Sequence, residues 1–378
     1  MSKVWNHLNN TDCVRRAGSV LALAGWALWA AGCSTGTDPS GGRKTAFFPP
    51  PPAAPRVQYL TSFSGGKDPD AVSGKFAEFV VGGEISTIPI LKPYGLAVVS
   101  NLLLICDTGS RAVDQLDFSQ GTMTLFSPAG LGKIGVPINV VVDADGSRLV
   151  TDTGRNQVLC YDQAGQFTGT LDDTNALRPT GLAVTAERIY LTDINSHCVR
   201  VYAKATRQLL FTIPSNPKAD EDTEPGKLYM PVNLALDAAG RIYVSDLSVC
   251  RVKIYDADGK FLRTFGGMGD LPGQFARPKG IAVDRAGRIF VVDAASQTCQ
   301  IFDADGKLLL PFGEPEGGAT DDRALLNLPA AVCVDYDHLA AFQKFAAPGF
   351  VLEELIFISN QLGAQKVSVY GLGHKQSP

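Results

Sequence analysis

From residue 93 onward, the hydrophobic and polar positions of this chain follow one repeating order. Six segments start on a proline and continue as a short apolar run. They are PYGLAVV from Pro93, PINVVVD from Pro137, PTGLAVT from Pro179, PVNLALD from Pro231, PKGIAVD from Pro278 and PAAVCVD from Pro329. The prolines lie 44, 42, 52, 47 and 51 residues apart, a spacing that marks an array of supersecondary units. In each unit a turn such as DAAG (237–240) leads to a second apolar run, usually closed by aspartate, as in RIYVSD to Asp246. A third run (RVKIYD, 251–256) and a fourth (FLRTFG, Phe261–Gly266) follow. Apolar and β-branched residues fill the runs, while Gly and Asp fill the turns. The pattern predicts an all-β, six-bladed propeller of four-stranded antiparallel blades.

The strand count is one short. Fourth runs follow units one to five, but unit six ends with KVSVYGLG (366–373). Far upstream, Val57–Phe63 (VQYLTSF) has the form of a fourth run with no hairpin partner of its own. Pairing it with 366–370 completes the last blade, locks the ring and removes exposed sheet edges. The propeller is therefore assigned to residues 56–378.

The order of proline, x, Gly or Asn, apolar run, DxxG, strand ending in Asp, then RVxIYDxxGKFLRTFG resembles the NHL repeat, best in units four and five. The stretch FFPPPPAAPRVQYLTSFSG resembles the N-termini of bacterial six-bladed propeller lipoproteins. That second resemblance implies a place near secreted multihaem cytochromes and no assigned catalysis. The rival WD40 repeat fits poorly, because Trp5, Trp26 and Trp29 all lie ahead of residue 33.

The first residues read differently. Lys3, Arg15 and Arg16 precede an apolar run from Ala17 to Ala31, then Gly32 and Cys33, the order of a secretory signal. Fifteen apolar residues are short for a membrane span of ~20. AAGC (30–33) resembles a lipobox, which implies a signal peptide over 1–32 and lipidation of Cys33. Ser34 after Cys33 favours the outer membrane by the same resemblance. Residues 33–55 are rich in Gly, Ser, Thr and then Pro, and read as a disordered tether. The chain carries a net charge of −4, and loss of the signal leaves −6, which argues against nucleic acid or anionic lipid as partners. The expected molecule is a monomeric propeller held to the cell envelope by its lipid.

Candidate chemistry is sparse. Asp107, Asp152, Asp193, Asp246 and Asp293 recur at the second-strand ends, as a structural role predicts, since a carboxylate there can accept backbone N–H bonds. DADG at Asp143, Asp256 and Asp303 lacks the glutamate of a calcium loop and suits hairpin turns. Cys106, Cys160, Cys299 and Cys333 replace small apolar residues, whereas Cys198 and Cys250 lie near turns of neighbouring units and form a candidate disulfide. His197, His338 and His374 are scattered and match no zinc set. No CxxCH, GxSxG or phosphate-binding Gly loop occurs. No cofactor, metal or catalytic residue is expected.

The enzyme reading to weigh against this is that of six-bladed lactonases and related hydrolases, which hold calcium in the central tunnel with Asn, Asp and Glu from several blades; their usual NG, one residue earlier, is not matched here. Asn139 and Asn233 lie near the tunnel mouth, where units one, three and five have Gly; tolerance of a left-handed backbone explains both residue types. Tyr94, Asn139, Asn233 and Lys279 are the candidate contacts on the face where the prolines lie. The acidic loop KADEDTEPGK (218–227) is expected on the same side, as a solvated loop or an attractor of basic partners. Unit six replaces its tight turn by YDHLAAFQKFAAPGFVLEE, where Asp337 could cap a short helix carrying Leu339, Phe342 and Phe345. This insert is read as a cover for the opposite face or a docking knob. The expected function is a non-catalytic, membrane-tethered scaffold for protein partners, with multihaem cytochromes as one class. The alternatives are a calcium-dependent lactonase or esterase acting in the tunnel, and a small-ligand sensor.

Overall fold

The computed structural model describes residues 45–69, 87–171, 177–215, 226–313 and 322–376. The segment read as a signal peptide, Cys33 and most of the acidic loop fall outside these residues. The described residues form six antiparallel blades, with the first strands of successive blades touching around a ring, and a two-stranded ribbon of Gly65–Lys67 with Thr87–Pro89. Each first strand begins at its proline, from Pro93–Val99 in blade one to Pro329–Asp335 in blade six.

The second strands explain why the apolar runs are nearly unbroken. In blade four all of Ile242–Asp246 is buried. Ile242 and Val244 point into the core shared with blade three, and Tyr243 into the core shared with blade five. Both faces of a blade are covered, so alternation between apolar and polar residues is lost. Six such apolar clusters fill the six blade-to-blade interfaces.

The ring closes as the strand count requires. Val57–Phe63 pairs antiparallel with Val367–Lys375, with Tyr59 opposite Tyr370 and Phe63 opposite Val367. One further strand was not foreseen. Phe47–Phe48 pairs with the closing strand, giving blade six five strands. Ala46 and Phe48 are buried, and the Phe48 ring lies 5.9 Å from Phe312 and 6.4 Å from Tyr370. The tether assigned to 33–55 is therefore corrected at its C-terminal part. Two aromatic rings beside the prolines supply enough apolar surface to pack.

The unit-six insert forms a short helix, Leu339–Phe342, and a 3-10 turn, Gln343–Phe345. Asp337 does not cap it. His338 is the N-cap residue and makes no side-chain cap bond, while Asp335 accepts the His338 N–H at 3.1 Å. Phe342 is buried against Phe63, Phe118 and Phe357, and Gln58 of the closing strand bonds backbone groups of Phe345 and Ala347. Since His338 also meets Asn101 of blade one, the insert bolts blade six to blade one on the face opposite the prolines.

Candidate functional site

The second-strand aspartates are structural anchors. Asp107 accepts the N–H groups of Leu91 and Lys92 at 2.5 and 2.9 Å, and those of Gly109 and Ser110 at 2.7 and 3.2 Å. Asp152 and Asp293 do the same for their own units, and Asp246 holds Tyr229 and Met230. Asn360 keeps the role in blade six by accepting the Asn327 N–H at 3.0 Å. Each anchor thus ties the loop entering its blade to the end of the second strand, and most also hold the turn that follows.

A second set of ties joins neighbouring blades. The residue before each anchor is Thr151, Thr192, Ser245 or Ser359 in four blades. Thr151 Oγ1 donates to Thr180 O at 2.9 Å, Ser245 Oγ to Lys279 O at 2.6 Å and Ser359 Oγ to Tyr94 O at 2.6 Å. Thr192 Oγ1 pairs with Thr180 Oγ1 at 2.9 Å, and Thr180 reaches Pro231 O of blade four. Sequence reasoning missed this set, although TD, SD and SN recur in the runs. These buried hydroxyls fix the inner strands that carry the candidate contacts.

The four candidates fall into two pairs across the ring. Asn139 Nδ2 of blade two lies 3.5 Å from Asn233 Oδ1 of blade four, spanning Gly181 of blade three. The Lys279 ammonium of blade five lies 5.2 Å from the centre of the Tyr94 ring of blade one, with Ala330 at the matching position of the intervening blade. The glycines are explained by proximity rather than by backbone handedness. Gly95, Gly181 and Gly280 do not have positive φ. A Cβ on Gly181 would meet Asn233 Cα at 2.6 Å, and one on Gly280 would meet Ala331 Cα at 2.6 Å.

Lys279 is the one buried cation among these four candidates. Only 6% of it is exposed, and its Nζ has one amide acceptor, Gln361 Oε1, at 3.4 Å. Burial, reinforced by the positive charges of Arg277 and Lys92, pushes its pKa down to about 8. Burial also raises the Tyr94 phenol, which Arg277 partly offsets. No carboxylate pairs with Lys279 among the described residues.

This donor set does not fit calcium, which takes six to eight oxygen ligands, carboxylates prominent among them. Asn139 and Asn233 each use their Oδ1 to accept the next residue's N–H at 2.8 Å. The other positions next to the first-strand prolines are Tyr94, Ile138, Thr180, Val232, Lys279 and Ala330, one of them cationic. Among the described residues no cluster of three or more His, Cys, Asp or Glu could hold a metal.

The proposed Cys198–Cys250 bridge is corrected: both thiols are free and buried. Cys198 opens a strand of blade three, and Cys250 Sγ turns to Leu247 O and Ala276 O at 3.5 Å. A cleft of about 360 Å³ lies elsewhere, between blades two and three, where Lys204 and Asp143 pair at 2.7 Å.

Comparison with known proteins agrees with this architecture. The family described as "6-bladed beta-propeller" matches residues 226–310. The chain is a six-bladed β-propeller. A Bacteroides thetaiotaomicron structural genomics protein of unknown function is 19% identical with a TM-score of 0.57, covering 84% of this chain and 75% of that one. A Xanthomonas campestris gluconolactonase is 16% identical with a TM-score of 0.55, covering 85% and 98%. An inactive Staphylococcus aureus virginiamycin B lyase with quinupristin is 14% identical with a TM-score of 0.50, covering 75% and 96%. At such identities the likeness speaks to fold and not to activity.

Proposed function

We propose that this propeller is a non-catalytic scaffold, lipid-anchored in the cell envelope, that binds a protein partner on its proline face. One observation carries the reading: this face presents apolar side chains on loops that are themselves pinned. Leu131 is 80% exposed, Met268 76% and Leu271 64%, beyond the leucines of the outer strands at 43–52%. Leu131 sits on a turn whose carbonyls at Leu131 and Lys133 accept from Arg155 at 2.7 Å. The loop bearing Met268 and Leu271 is held by Gln300, which bonds Gly273 N at 2.7 Å and Gln274 O at 2.8 Å. Leu91 and Leu362 add exposed apolar tips on blades one and six. Fixed apolar tips reduce the ordering cost of association, and large apolar exposure on one face is a feature of interaction sites.

Capture from detergent-solubilised membranes tests the reading. The tagged wild-type chain retains a partner, and the Leu131→Ser, Met268→Ser, Leu271→Ser variant does not. Recovery of the propeller alone at low and moderate salt counts against it. Haem absorbance of the captured fraction checks the multihaem cytochrome class. The lactonase alternative requires stoichiometric calcium in purified protein, and metal analysis finding none ends it.

A further inference from the structure

Among the described residues, several cations on the blades are held by a buried carboxylate. Arg200 meets Asp193 at 2.9 Å, Lys253 meets Asp246 at 3.3 Å and Arg288 meets Glu354 at 2.7 Å. Lys279 is as buried as Lys253, yet it has an aromatic face and one amide oxygen in place of a counter-ion. An ammonium withdrawn from water without a counter-ion is costly, and a ring face returns only part of that cost. Two further cations, Lys92 and Arg277, act on the same point and are themselves exposed. Both immediately precede their blade's first-strand proline, so the anchors Asp107 and Asp293 fix their backbones through the Lys92 and Arg277 N–H groups. Three cations thus act together on the proline face of a chain whose net charge is −4.

We propose that the tunnel mouth is an oxyanion site, in which Lys279, Arg277 and Lys92 receive a carboxylate or phosphate group against the Tyr94 ring. The anion supplies the counter-ion that Asp246 supplies to Lys253 in blade four. Tyr94 forms an apolar wall beside the ammonium, and Gln361 holds Lys279 in place before the ligand arrives. The site stands on its own geometry and does not require the scaffold reading, because it is tested on purified protein with no partner present.

The groups that act on Lys279 are Tyr94, Gln361, Lys92 and Arg277. The test is an NMR titration of the Lys279 side chain in the full purified chain. It is run in sodium chloride and then, at the same ionic strength, in sodium succinate and in sodium phosphate. The midpoint, about 8 without ligand, rises by about one unit or more with succinate or phosphate, a tenfold preference of the anion for the charged lysine. The arm that responds tells a carboxylate from a phosphate. Lys92→Ala with Arg277→Ala, both at exposed positions, raises the midpoint in chloride and weakens the oxyanion response at least tenfold. By calorimetry, Lys279→Met abolishes oxyanion binding and Lys279→Arg retains it. The proposal is overturned if neither oxyanion moves the midpoint beyond the chloride value, or if the double alanine variant responds as wild type does.

Discussion

Two lysines in adjacent blades show what the scaffold invests in stability and what it leaves for binding. Lys253 and Lys279 are 4% and 6% exposed, and each faces a tyrosine ring, Tyr229 at 5.0 Å and Tyr94 at 5.2 Å. Lys253 has the Asp246 carboxylate at 3.3 Å and donates as well to Lys227 O. Lys279 has a long contact to Gln361 and two like charges acting on it. Burial lowers both pKa values, but only for Lys253 does a carboxylate oppose the shift. The difference separates a cation that holds a blade together from one buried without a carboxylate partner.

The comparison breaks most sharply at Lys253. Lys253→Met leaves Asp246 buried with only backbone donors, and the loss expected in urea unfolding is about 3 kcal/mol. Lys279→Met should act in the opposite direction. A depressed lysine pKa, about 8 against 10.5, means that the unfolded state holds its proton more tightly. Folding thus bears a penalty that is full below pH 8 and fades as pH rises toward 10.5. At pH 7 the variant gains up to about 3 kcal/mol, and the gain disappears above pH 10.5; an unchanged or lower melting temperature at pH 7 contradicts the account.

Blade one sharpens the same contrast from the acidic side. Asp114 occupies the third-strand position that holds Arg200 in blade three and Lys253 in blade four. There it faces Asp107 with one carboxylate oxygen unpartnered. Burial, and then the Asp107 charge, lift its pKa to about 8. A raised carboxyl pKa favours folding below the unfolded value, and that support is lost as pH rises through 8. Asp114→Asn should therefore stabilise the chain by about 2 kcal/mol at pH 8 and flatten its pH profile, as read by thermal melts between pH 4 and 9. The smallest effect belongs to the hydroxyl ties. Ser245→Ala removes a 2.6 Å bond to Lys279 O and should cost about 1 kcal/mol, with no change in the Lys279 midpoint of more than a few tenths of a unit.

Much of this fold was legible because its signals are local and repeated. Pro93, Pro137, Pro179, Pro231, Pro278 and Pro329 each open a first strand, and Val57–Phe63 closes the ring where the count required it. What escaped depends on distances between blades. The glycine at 95, 181 and 280 is dictated by a neighbouring strand at contact distance, which no within-unit pattern displays. The Tyr94 and Lys279 partnership spans 185 positions of sequence and an intervening blade. Their residue types marked them as candidates, but spacing along the chain could not show the ring seated under the ammonium. Phe47 and Phe48 were hidden by their proline-rich setting, where composition argued for extended chain while two aromatic rings sufficed for packing. Cys198 and Cys250 looked close because neighbouring blades repeat their turns, yet the two thiols occupy separate environments.

The claim on which the account turns is that the proline face, and not the insert on the opposite face, is where this propeller binds. It is tested most directly by membrane capture with three chains: wild type, the Leu131→Ser, Met268→Ser, Leu271→Ser variant, and Phe345→Ser in the insert, where Phe345 is 37% exposed. The account predicts one partner retained by wild type and by Phe345→Ser, and lost from the triple variant. Equal capture by the triple variant, or loss of the partner from Phe345→Ser alone, contradicts it.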